Sequence, residues 1–197
     1  MALDILDGHQ VSDRLMRLSK PISLLLPYLL TKIGLSGITA FMIQSILSVC
    51  ICIYFIKGIL QAYFDASSDA STDKSTPYFL SICILLGCQC TAVYGLAVLT
   101  DSLSWAIILG LIYYIQQNKT PEIKQLFCIG LGVGIGFFVK ESCLLILVFY
   151  TFHLFLRKLS AIQVLRKLGL VYSITLFVIA CISLFQDIYL GLSLIHI

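Results

Sequence analysis

The sequence predicts an all-α, multi-pass transmembrane helical bundle, and three observations carry that expectation. Hydrophobic residues make up 59% of the 197 residues against 12% charged, and mean hydropathy is +1.01, whereas soluble domains hold roughly 45–50% apolar residues. The apolar residues come in runs near the ~20 residues that cross a bilayer. Outside the charged opening segment, charges are scarce. A net charge of +3, with no basic stripe interleaved with aromatics, argues against a nucleic-acid partner. The eight cysteines all fall in apolar stretches, where a free thiol acts as a small hydrophobe and not as part of a disulfide or zinc framework.

In chain order, residues 4–20 form a charged opening, with Asp4, Asp7 and Asp13 beside Arg14, Arg17 and Lys20. Residues 21–35 are apolar but short and contain Pro21, Pro27 and Gly34, which suits a re-entrant or interfacial helix. Six apolar spans follow, at about residues 36–60, 77–96, 101–115, 125–139, 142–156 and 168–185, the fourth of them rather short. The polar connections are an Asp/Ser-rich loop at 65–73, the 116–124 loop with Pro121, the Lys140-Glu141 turn, and a basic connector over 157–167.

Lysine and arginine near span ends set the orientation. The loops with Lys119 and Lys124, and with Arg157, Lys158, Arg166 and Lys167, are expected on the cytoplasmic side. Counting outward puts the opening, Asp101, Lys140-Glu141 and Asp187 on the opposite face. Arg14, Arg17, Lys20 and Lys32 then violate the positive-inside rule, and either the count is off by one span or these cations meet an anionic group such as a lipid phosphate.

Ionisable residues at membrane depth are costly and are functional candidates by default. Asp101 and Lys140-Glu141 interrupt apolar sequence most sharply, and for them an interhelical ion pair or a plain interfacial loop competes evenly with a substrate role. Gly130, Gly132, Gly134 and Gly136 follow no strand and precede no Lys-Ser/Thr, so they read as small-xxx-small packing faces and not as a nucleotide loop. Asn118-Lys119-Thr120 matches a glycosylation acceptor, on a side where modification is not expected. His9 is a candidate base. Trp105 and the tyrosines read as belt and packing residues.

An Asp7-Gly8 loop before a Pro-flanked apolar segment, Thr100-Asp101-Ser102 at the outer start of a later span, and a Gly-rich span ending in Val139-Lys140-Glu141-Ser142 together resemble integral-membrane glycosyltransferases of the GT-C class. The resemblance is to mannosyltransferase-like members that use polyprenyl-phosphate sugars. It implies that Asp7, with Asp4 as substitute, is the catalytic carboxylate, and that Arg14, Arg17, Asp101, Lys140 and Glu141 bind substrate. A carboxylate deprotonates the acceptor hydroxyl and cations stabilise the departing lipid phosphate, for which a bidentate Arg is well suited. No metal-ligand spacing is visible, so the cofactor requirement, a divalent metal included, stays open. Such a protein is expected in the cell or inner membrane, with membrane lipids and a polyprenyl-phosphate-linked sugar as partners and its site on the non-cytoplasmic face. The family normally has a span before the catalytic loop, and residues 192–197 read like a translated sequencing adapter. One transmembrane domain over residues 1–191, belonging to a longer protein, is therefore expected. The competing readings are a transporter or flippase module using the same charges, and a non-enzymatic or truncated membrane fragment.

Overall fold

A computed structural model describes residues 21–66, 79–80, 83, 101–118, 121–157 and 159–185. Every regular element among them is helical. The charged opening, most of the expected 77–96 span and the tail after residue 185 lie outside the described residues.

Helix α1, Pro21–Lys32, has 12 residues, or about 18 Å, too short for a hydrocarbon core of about 30 Å. It stops at Gly34, whose φ of 97° suits a residue without a Cβ. Gly34 N–H donates to Thr31 O at 3.0 Å and Leu35 N–H to Leu30 O at 3.2 Å, the pair of bonds that closes a Schellman motif. Ser36 then caps the next helix. Its Oγ accepts from Thr39 N–H at 3.2 Å, which satisfies one of the orphan donors of a first turn.

Helix α2, Gly37–Ala66, packs on α1 and on helix α3, Asp101–Gln117. Cys52 is buried with Ala106, the ring of Phe55 lies against Gly110, and Gly58 lies against the ring of Tyr113. Residue numbers rise together along this seam, so α2 and α3 run parallel. Consequently α2 ends at the side of the bundle opposite to the one where α3 begins.

Helix α4 covers Ile123–Phe137 and is held on both faces by its glycines. A Cβ at Gly132 would stand 2.8 Å from Leu111, and one at Gly136 3.1 Å from Ile107, so this face runs antiparallel to α3. On the other face, a Cβ at Gly130 would stand 2.8 Å from the Cβ of Ile174 and one at Gly134 2.7 Å from that of Val178. Those contacts make α4 parallel to helix α6, Ala161–Phe185. The small-xxx-small reading is thus realised twice, with alternate glycines serving different partners. Thr175 Oγ1, buried between α4 and α6, lies 2.9 Å from Val171 O and 3.2 Å from Gly130 O, so its proton is shared within and between the helices.

A single 3₁₀ turn, Glu141–Leu144, leads into helix α5, Leu145–Leu156. The main core joins Ile115 of α3, Leu126, Ile129 and Val133 of α4, Ile146, Tyr150 and Leu154 of α5, and Val164 and Val171 of α6. Two boundaries differ from expectation: α2 runs on past residue 60 through Asp65 to Ala66, and α6 begins early. Residues 161–167 belong to α6, not to a connector. Ser160 and Gln163 form a reciprocal capping box, with Ser160 N–H donating to Gln163 Oε1 and Gln163 N–H to Ser160 Oγ, each at 3.4 Å. That box, ahead of good helix formers, starts the helix two turns before the apolar run.

Two helical stretches, Gly37–Ala62 and Ala161–Phe185, are long and apolar enough to cross a membrane, and only 28% and 11% of their best apolar windows are buried. Large apolar side chains such as Ile38, Tyr54, Phe152, Leu156, Ile162 and Phe177 are exposed, while Ser23, Gln44, Ser45, Ser48, Ser102, Ser104 and Thr175 are buried.

Candidate functional site

The polar residues inside the bundle gather unevenly. On α2, Gln44, Ser45 and Ser48 are at most 1% exposed, and on α3 Ser102 and Ser104 are fully buried. Counting back along the parallel seam from Cys52–Ala106 and Phe55–Gly110 sets Ser48 level with Ser102, the second residue of α3. These side chains therefore occupy the end of the bundle where α3 begins.

The turn after α4 closes over the same end. Lys140 N–H donates to Gly136 O at 2.9 Å and Cys143 N–H to Lys140 O at 3.0 Å, which folds residues 138–143 back onto the helix. Cys143 is fully buried, and its Sγ lies 3.9 Å from Ser104 O. A Cβ at Gly136 would lie 3.0 Å from the Cβ of Cys143, so a larger residue there would push the turn outward by a few tenths of an ångström. Lys140 is half-buried and Glu141 exposed at the rim.

Of the expected site residues, the structure brings the backbone of Asp101, at the start of α3, to the end of the bundle that carries Lys140 and Glu141. Asp4, Asp7, Arg14 and Arg17 lie outside the described residues, as do Asp187 and His9. Sequence reasoning passed over the buried layer beneath them. Among the described residues, both polar atoms of the Gln44 amide, and the hydroxyls of Ser102 and Ser142, are buried with no hydrogen-bond partner. Each such group costs about 1–3 kcal/mol when left unmade, which makes this layer an exception worth locating. The available signal was Gln44 itself, an amide within an otherwise apolar span, where polar side chains mark function or helix pairing.

At the opposite end, the Asn118 side chain is committed to structure. Its Nδ2 donates to Tyr114 O at 2.8 Å and its Oδ1 accepts from Gln125 Nε2 at 2.6 Å, so the amide of the acceptor motif ties the end of α3 to the start of α4. Among the described residues no three His, Cys, Asp or Glu side chains gather as metal ligands. Comparisons with family models, with curated proteins and with solved structures found no match.

Proposed function

We propose that the chain is a membrane-embedded glycosyltransferase of the GT-C type, a bundle of about six spans with a short interfacial helix. It transfers a sugar from a polyprenyl-phosphate donor to an acceptor at the non-cytoplasmic face. The large apolar side chains exposed on the outside of the bundle, with several serines, Gln44 and Thr175 buried beside its apolar core, support a lipid surrounding. The directions of the helices, α2 parallel to α3, α3 antiparallel to α4, and α4 parallel to α6, agree with an alternating order of crossings in which the 77–96 span returns the chain between α2 and α3.

The observation that carries the reading is the meeting of the Lys140-Glu141 turn with the first turn of α3, which Asp101 opens, through the Cys143–Ser104 contact. In the proposed reaction the acceptor hydroxyl attacks the anomeric carbon, Asp7 takes its proton, and the bond from that carbon to the lipid phosphate breaks. Arg14, Arg17 and Lys140 neutralise the departing phosphate, and Asp101 and Glu141 hold sugar or acceptor hydroxyls. A positioned base contributes about 10²–10⁴-fold.

The test uses membranes containing the full chain, supplied with polyprenyl-phosphate mannose. Asp7→Asn is expected to lower transfer by about 10²–10⁴-fold with the protein still present in membranes. Unchanged transfer would remove Asp7 from the mechanism. Solute uptake into proteoliposomes with no covalent product would replace the reading with that of a transporter.

A further inference from the structure

The end of the bundle remote from Asp101 holds a cleft of its own. It opens between the start of α4 and the first three turns of α6 and encloses about 820 Å³. Its floor is apolar, from Leu126, Leu159 and Leu170, and its polar lining on α6 comes from Gln163, Arg166, Lys167 and Ser173. Gly169 lines it as well, and a Cβ there would meet nothing within 4 Å, so the cleft is open at mid-depth. Among the described residues lining it, Glu122 is the one carboxylate beside the two cations Arg166 and Lys167.

We infer that this cleft binds the headgroup of an anionic phospholipid, its phosphate between Arg166 and Lys167 and its acyl chains along the exposed apolar flank of α6. Three features of the cleft support it. The cations stand in the first two turns of a helix that is long and apolar enough to span a membrane. Polar donors of Gln163 and Ser173 line the same space as an apolar floor, the combination that a phosphodiester with attached chains needs. Beside the cleft, Ile162 and Leu165 of α6 and Ile123 and Phe127 of α4 are exposed, a surface for the chains themselves. The same end carries Lys124 and Arg157, which makes it the cytoplasmic side by the positive-inside rule. That leaflet is where anionic lipids concentrate, and basic pockets between spans there take their headgroups. The inference rests on the membrane reading but not on glycosyl transfer.

The experiment places the full chain in phosphatidylcholine nanodiscs with 0% or about 20% phosphatidylglycerol and counts co-purified lipids by native mass spectrometry; this anionic fraction supplies the surface field described for such membranes. Wild type should retain phosphatidylglycerol in preference to phosphatidylcholine. Arg166→Gln with Lys167→Gln should lower that preference by about tenfold to thirtyfold, as the loss of two surface cations implies. Lys57→Gln with Lys124→Gln, which removes the same charge outside the cleft lining, should leave the preference largely intact. Absence of preference in wild type, or equal loss in both double variants, overturns the proposal. So does displacement by inorganic phosphate alone, which would assign the cleft to the free ion. Extraction of wild type from membranes by alkaline carbonate would instead refute the membrane reading, a result read before any lipid is counted.

Discussion

At the scale of single residues the molecule makes opposite demands on chemically identical positions. A Cβ at Gly134 would fall 2.7 Å from the Cβ of Val178 and 3.2 Å from Thr175 O, atoms of a helix face that cannot rotate away. Gly134→Ala is therefore expected to lower stability by about 1–3 kcal/mol, the usual penalty of overpacking. Gly169→Ala meets open space and should be neutral or stabilising by up to about 1 kcal/mol, since alanine is the better helix former. Denaturation in detergent, followed by circular dichroism, compares the two. Thr175→Val keeps the volume but deletes the proton shared between Val171 O and Gly130 O, at a cost of about 0.6 kcal/mol, typical of interhelical bonds in lipid. A cost near zero would mean that the hydroxyl serves α6 alone.

At the scale of elements, Ser160→Ala is expected to fray the first two turns of α6 by removing the cap acceptor, at a cost of about 1 kcal/mol. Hydrogen exchange of residues 161–167 would report it, with faster exchange there and none gained near Thr175. The same segment shows where the sequence was legible and where it was not. Apolar runs located the starts of α2, α3, α4 and α5 to within a few residues, because a helix satisfies its own backbone bonds wherever the side chains along it are apolar. Hydropathy is blind to a helix continuing into water. Arg166 and Lys167 read as a connector, although the Ser160-Gln163 box had already committed their backbone. Pro21, Pro27 and Gly34 announced a short helix, and Gly34 ends it by the left-handed turn that the absence of a side chain permits.

At the scale of the whole molecule, the order of helix directions makes a topological prediction. Gln117→Cys and Glu141→Cys, each in a background with the native cysteines changed to alanine, should react with an impermeant maleimide from opposite sides of sealed vesicles. Labelling of both from one side would break the alternation of α3 and α4. The candidate site was half legible at this scale. Asp101 and Lys140-Glu141 announced themselves as charges breaking apolar sequence, and their convergence on one end follows from the antiparallel course of α3 and α4. The hydroxyl layer beneath them was not legible. Single serines inside apolar runs carry little signal until two helices face each other, and Ser48 meets the level of Ser102 only because α2 and α3 are parallel.

The two-sided crowding of α4 also has a consequence for how the protein is made. Thr175, which closes on Gly130, is synthesised 45 residues later, a delay of about 2 to 9 s at roughly 5–20 residues per second. Until α6 emerges, Gly130 and Gly134 present a bare backbone groove that Ile174 and Val178 later fill. A chain released before α6 is complete leaves that groove open.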